Sequence, residues 1–153
     1  MKNLLLAIYI VISTAAVSQN ISLKDGIYLQ NEKPYTGKHL IYYASGAVKE
    51  ELNLTEGKLN GEIIRYYENG QKMETGNYEA GLKANIWFRF NASGVKIAEA
   101  SYKNDKKDGL WMVYGDNGEK LFKMEYKNGE KTGTWFQWNE NGDIVKSTNY
   151  ASL

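Results

Sequence analysis

Glycine recurs at positions 46, 70, 94, 118 and 142, a period of 24 residues held without slippage through five units. No other feature limits the fold as strongly. A fixed period of this length means one supersecondary unit stacked on copies of itself, with stability drawn from neighbour-to-neighbour packing instead of one central core.

Aligned on these glycines, the units span 37–60, 61–84, 85–108, 109–132 and 133–153. Each opens with a strand-like run, such as Glu62–Tyr67 or Leu110–Tyr114. A turn dipeptide follows: Ser45-Gly46, Asn69-Gly70, Ser93-Gly94, Asn117-Gly118 and Asn141-Gly142. Asn-Gly between strands is a strong signal for a two-residue type I′ hairpin turn, with Ser-Gly a weaker form. A second strand ends at Leu54, Tyr78, Tyr102, Tyr126 and Tyr150. A second punctuation mark, such as Ala80-Gly81 or Asn128-Gly129, then passes the chain to the next unit by a somewhat longer turn. In unit three it is Asn104-Asp105, where Asp tolerates left-handed backbone. No segment holds a 3.6-residue apolar period between glycines this closely spaced. The expected fold is all-β: an elongated antiparallel hairpin meander of about ten strands, some 48 Å long at ~4.8 Å per strand.

Alternation along the first strands sorts residues by face. Leu40, Ile64, Phe88, Met112 and Phe136, with Tyr42, Tyr66, Phe90, Tyr114 and Trp138, form an apolar column and the expected core. The other face is mixed and carries His39, Ile63, Trp87, Trp111 and Trp135 beside Ile41, Arg65, Arg89, Val113 and Gln137. On the second strands, Met73, Ile97, Leu121 and Val145 make one apolar column and Leu52, Ala100 and Met124 another, three residues on. Spacing of three breaks a period of two and requires a β-bulge or a shortened strand.

The ends read differently. Residues 1–18 have a short basic start, the apolar run Leu4–Ile12 and small residues at Ala16 and Ser18, the pattern of a cleaved secretory signal peptide. Export to the periplasm or outside the cell is the expectation, with no membrane span once the signal is removed. Residues 19–36 are expected to form an N-terminal cap, with Ile27-Tyr28-Leu29 as the second strand of an incomplete repeat. Tyr150–Leu153 ends the last hairpin on an open edge strand.

The repeats resemble the MORN repeat, in the bacterial variant with an Asn-Gly hairpin turn. The resemblance is carried by Gly109-Leu-Trp-Met-Val-Tyr-Gly-Asp-Asn-Gly118 and Tyr126-Lys-Asn-Gly-Glu-Lys-Thr-Gly133-Thr-Trp135, and more loosely by 61–81 and 34–38. It covers residues 34–150. It implies hairpin sheets used as interaction scaffolds. Some bacterial members are named as antitoxin-like or immunity-type proteins, eukaryotic relatives have been linked to membranes, and no catalytic residues carry over. Asn85, Asp105, His39 and Ile63 depart from the pattern, so units one and three are the degenerate ones.

Composition excludes several chemistries. There is no cysteine, hence no disulfide, thiolate nucleophile or lipobox thiol. The chain has 19 basic and 18 acidic residues, and removing Lys2 with the signal leaves equal numbers. That balance gives no electrostatic footprint for nucleic acid. His39 is the sole histidine and stands where other units have Ile or Trp, a structural position. Adjacent Glu50 and Glu51 point to opposite faces, a poor acid/base pair. No catalytic residue, metal site or cofactor is assigned. The candidate partner-binding face is Trp87, Trp111 and Trp135 in a row two strands apart, with Arg65, Arg89, Tyr43 and Tyr67, since Trp, Tyr and Arg dominate protein hot spots. A protein partner is the first expectation. A glycan stacked on the tryptophans and an antitoxin or immunity role are the alternatives. The same tryptophans, lying over small residues such as Gly76 and Ala100, would otherwise fill a second small core.

Overall fold

The computed structural model describes residues 20–150, all of them in strands, turns and loops. The expected signal segment lies outside the described residues. The strands are β1 (Ile21–Lys24), β2 (Ile27–Gln30), β3 (Lys33–Pro34), β4 (Gly37–Tyr42), β5 (Val48–Thr55), β6 (Lys58–Leu59), β7 (Gly61–Tyr66), β8 (Lys72–Glu79), β9 (Leu82–Phe90), β10 (Lys96–Lys103), β11 (Lys106–Tyr114), β12 (Lys120–Lys127), β13 (Glu130–Trp138) and β14 (Ile144–Tyr150). Eleven form one antiparallel sheet in the order β14-β13-β12-β11-β10-β9-β8-β7-β5-β4, with β6 on β5. Along this path sequence neighbours are spatial neighbours, as the repeat dictates, except that β5 pairs directly with β7. The N-terminal strands β1, β2 and β3 form a separate three-stranded sheet. Ile27-Tyr28-Leu29 is therefore a strand, as expected, but belongs to a small sheet of its own. Backbone bonds from Tyr28 N to Gly57 O (2.9 Å) and from Gly57 N to Tyr35 O (2.8 Å) tie that sheet to the first repeat.

The two kinds of turn exchange the roles read from the sequence. At Glu68-Asn69-Gly70, only Gly70 has positive φ (82°), and its N–H bonds to Tyr67 O at 2.9 Å. Asn69 keeps negative φ and accepts a bond from Gln71 N through its side chain at 3.0 Å. This is a three-residue loop: a type I turn closed by a left-handed glycine. The two-residue turn with positive φ at both centres is the connector between repeats. Ala80 (49°) and Gly81 (89°) join the paired residues Glu79 and Leu82, and Asn104 (50°) and Asp105 (63°) join Lys103 and Lys106. The Asn-Gly dipeptide misleads because the loop holds one residue more than a type I′ turn permits. The side chain of Asn69 then caps the loop instead of entering it.

The irregular spacing on the second strands is a β-bulge. Between β7 and β8 the register steps from Arg65↔Glu74 to Tyr66↔Lys72, leaving Met73 as the extra residue. The same step recurs in the other four repeat hairpins and falls on Lys49, Ile97, Leu121 and Val145.

The core lies on the face opposite to the expected one. Leu52, Ile63 and Trp87 are at most 2% exposed and form its centre, with Tyr28, Ile41, Leu59, Tyr78, Ala100 and Tyr102 packed around them. On the reverse face, cross-strand pairing runs Leu40–Glu51–Ile64–Thr75–Phe88–Glu99–Met112–Lys123–Phe136–Ser147. Each apolar side chain of a first strand is flanked by a polar one from a second strand. Of the expected column, Met112 is buried, whereas Tyr42 is 53% exposed. Alternation along a single strand identified an apolar column. Burial depended on the neighbouring strands, which that reading did not combine.

Candidate partner-binding face

On the core-bearing face the tryptophans do not stand as a free row. Tyrosines from the ends of the second strands alternate with them, in the order Tyr78, Trp87, Tyr102, Trp111, Tyr126, Trp135, Tyr150. Successive ring centroids are 5.1, 6.1, 5.3, 5.5, 5.1 and 4.7 Å apart, tilted or edge-on. Such geometry sets the positive edge of one ring against the negative face of the next. Lysines with the same 24-residue period cover the stack. Lys83 Nζ lies 3.9 Å from the Trp87 ring and 5.1 Å from Tyr102. Lys107 lies 4.1 and 4.6 Å from Trp111 and Tyr126, and Lys131 4.8 and 5.1 Å from Trp135 and Tyr150. Each indole N–H is used internally: Trp87 donates to Ala84 O, Trp111 to Ser101 O and Trp135 to Glu125 O, at 3.0–3.1 Å.

The backbone makes room for the rings. A Cβ on Gly76 would sit 2.1 Å from Trp87 Cδ2, so the indole lies flat where the sheet has no side chain. The register also breaks between Thr75 and Asn77, opposite Asn85–Trp87. Asn85, where other units open with glycine, adopts φ 60° there, a conformation that Asn accepts more readily than most residues.

A second cross-strand row runs beside the ladder: Ile41–Glu50–Arg65–Glu74–Arg89–Ala98–Val113–Phe122–Gln137–Lys146. Arg65 is held between two carboxylates, with Nε 3.1 Å from Glu50 and a second nitrogen bonded to Glu74. Burial tends to lower its pKa, and the two carboxylates outweigh this and raise it. Arg89 is exposed and stands opposite Glu74. At Ala98 and Ala100 both rows carry methyl groups. A groove of about 600 Å³ opens there, reached by Trp87, Trp111, Val113, Glu74 and Arg89.

The expected site residues thus divide. Trp87 is 2% exposed and belongs to the core, while Trp111 and Trp135 are half-buried in the ladder. The hydroxyl of Tyr43 donates to Tyr66 O at 2.6 Å and that of Tyr67 to Phe90 O at 2.9 Å, each stapling one hairpin to the next. Arg65 is neutralised within the sheet. Arg89 and the groove at Ala98 and Ala100 are what remains accessible. Sequence reasoning placed Tyr78, Tyr102, Tyr126 and Tyr150 at strand ends without reading them as ladder rings, and passed over Lys83, Lys107 and Lys131, although all repeat at the same period as the glycines.

On the reverse face Tyr66 OH donates to Glu51 at 2.7 Å, and Lys38 Nζ reaches the other oxygen of Glu51 at 2.8 Å. Desolvation and this bond push the Tyr66 phenol up to about 12, while Lys38, then Tyr66, hold Glu51 below its ordinary value. Burial lowers the His39 pKa, with its ring 5.9 Å from Tyr28. Among the described residues, no group of three or more His, Cys, Asp or Glu is placed to hold a metal ion. No helix there is long and apolar enough to cross a membrane.

Hairpin paired to hairpin, with an aromatic ladder along one face, defines a β-hairpin repeat protein. Residues 59–80, 107–128 and 131–151 match the family model of the MORN repeat variant, so these segments are MORN-type repeats. Units one and three, the degenerate ones, lie outside the matched segments except for their last two residues. No curated protein matches the chain. The MORN repeat is generally a non-enzymatic module.

Proposed function

We propose that the chain is an exported, non-enzymatic scaffold that binds a protein partner in the groove at Ala98 and Ala100. The groove itself carries this reading. It is a concave, largely apolar strip between Trp111 and Val113, with Glu74 and the exposed Arg89 at one end. An apolar strip beside an accessible arginine suits a protein contact, since arginine is enriched at protein hot spots. The apolar run at residues 4–12 supports export.

The glycan reading needs bare indole faces. Here tyrosine rings and lysine ammonium groups cover them, which favours the groove over the ladder as the contact. An antitoxin or immunity role is one form that protein binding would take.

Ala98→Trp fills the groove from a half-buried position and Arg89→Glu reverses its rim charge. In crosslinking from a cell-envelope fraction, the partner captured by the wild-type chain is expected to be lost with both variants. Sedimentation with purified cell wall should be unaffected by either. Partner capture unchanged by both substitutions would refute the groove assignment.

A further inference from the structure

Five asparagines are followed directly by glycine: Asn60, Asn69, Asn117, Asn128 and Asn141. This dipeptide has a chemistry of its own. The glycine nitrogen, unshielded by a side chain, can attack the carbon of the asparagine amide. Hydrogen bonding decides whether that amide is free to turn toward it, and the five sites differ.

Asn69, Asn117 and Asn141 occupy the same place in the loops of three repeat hairpins, and all three are exposed. Each has an acidic residue before it and glycine after it, so the adjoining sequence does not separate them. In each loop the glycine N–H bonds to the carbonyl three residues back at 2.9–3.0 Å, so the attacking nitrogen is held alike. The amides are held differently. Asn69 Oδ1 accepts from Gln71 N at 3.0 Å, and its Nδ2 donates to Ala92 O in the next hairpin at 3.0 Å. Asn117 Oδ1 accepts from Glu119 N at 3.0 Å. In the last hairpin Asn139 takes this capping role, as asparagine side chains do for backbone two residues on. Its Oδ1 accepts from both Asn141 N (3.0 Å) and Asp143 N (2.9 Å). The equivalent positions in the other two loops are Tyr67 and Gly115, neither of which supplies a capping amide. Asn141 is therefore displaced from its cap. Its side-chain amide has no hydrogen-bond partner among the described residues, and the space beside Gly142 is open.

The remaining two lie between repeats and are tied down. Asn60 Oδ1 accepts from Ala80 N at 3.0 Å and its Nδ2 donates to Thr55 Oγ1 at 3.4 Å. Asn128 N bonds to Asp108 Oδ2 (3.0 Å) and Gly129 N to Lys107 O (2.7 Å), which fixes both peptide groups to β11.

We propose that Asn141-Gly142 is a self-modification site, at which asparagine becomes aspartate or isoaspartate with water as the co-reactant. Gly142 N bonds to Asn141 Cγ, the Cγ–Nδ2 bond breaks, and ammonia leaves with the proton of the glycine N–H. Water then opens the cyclic imide. Hydrolysis at Cγ yields aspartate, and hydrolysis at the backbone carbonyl yields isoaspartate. Either product adds a carboxylate to the loop between Glu140 and Asp143.

Ageing the folded chain in mildly alkaline buffer, followed by peptide mapping with mass spectrometry, tests this, with a urea-unfolded sample as reference. Asn141 is expected to convert about tenfold or more faster than Asn69, which must give up two hydrogen bonds, with Asn117 between them. In urea this ranking should vanish. Asn139→Gly, which copies the loop of Gly115, should return the cap to Asn141 and slow its conversion to the Asn117 rate. Asn139→Tyr, which copies the loop of Tyr67, should do the same, and circular dichroism checks that both variants are folded. No conversion at Asn141, conversion at Asn69 as fast as at Asn141, a ranking that persists in urea, or an Asn141 rate unchanged in the folded variants would overturn the proposal.

Discussion

The first two repeats and the last three use one backbone but fill it differently. In β4–β8 the row beneath the ladder face holds His39, Leu52, Ile63 and Gly76, while Glu50, Arg65 and Glu74 form an ion triad beside it. In β9–β14 the same row holds Trp87, Ala100, Trp111, Met124, Trp135 and Thr148, with a tyrosine between successive tryptophans. Burial follows the difference. Among the described residues, the buried hydrophobics Leu52, Leu54, Ile63, Ala84 and Trp87 lie in or next to the aliphatic half, and beyond them there is Met112 alone. Aliphatic side chains close against one another, whereas stacked rings stay half-exposed under a cover of lysine stems. The aliphatic half gains its stability from burial. The aromatic half relies on ring and cation contacts, and its small residues leave a groove.

Trp87 sits at the junction of the two halves, and its removal should have the largest effect. Trp87→Ala is expected to cost about 3–5 kcal/mol by urea unfolding. Trp135→Ala, in the half-buried stack, should cost about 2 kcal/mol, since less area leaves water and the site collapses more easily. Equal losses at the two positions would mean that the halves do not differ in the way described.

Arg65→Met leaves Glu50 and Glu74 facing each other across the row. With the guanidinium about one-third exposed, a loss of about 1–2 kcal/mol is expected, below that of a fully buried pair. It should shrink at low pH, where the carboxylates are protonated. Lys107→Met, removing a cation from over Trp111 and Tyr126, should cost no more than about 0.5–1 kcal/mol and little of its effect should depend on salt.

Acid and alkali should separate the regions further. Burial lowers the folded-state pKa of His39, so its contribution is present above the ordinary histidine range and is lost as pH falls through the lowered value. Loosening should begin at the His39–Tyr28 contact, read as faster amide exchange in β2 and β4 than in β11–β13. Tyr66 is pushed up to about 12, and desolvation also raises Tyr28, Tyr102 and Tyr114. Their contribution holds below about pH 10, the ordinary tyrosine value, and is lost as pH climbs through the raised ones. Tyrosinate absorbance should therefore rise together with loss of β-sheet signal between about pH 10 and 12.

Much of this molecule was legible as a period. Glycine spacing located the hairpins from residue 37 onward but not those of the N-terminal sheet, the order of strands followed, and the left-handed residue at Asp105 was anticipated from its chemistry. The turn types were not legible, because Asn69-Gly70 fits a two-residue and a three-residue loop equally well until the pairing on either side is known. The site was half legible. The tryptophan row and Arg89 were visible, but the fate of Trp87 depended on Gly76, eleven residues away and directly beneath it.

The sequence by itself determined the repeat and the antiparallel hairpins from residue 37 onward, because glycine periodicity and strand alternation are local properties of the chain; the separate N-terminal sheet was not foreseen. Tertiary structure alone decided which face became the core. Leu40 and Ile63 are equally apolar, but Leu40 lies beside Glu51 and Ile63 beside Gly76. A residue's burial is set by what the adjacent strands bring next to it, and cross-strand register, shifted here by a bulge in every repeat hairpin, determines that.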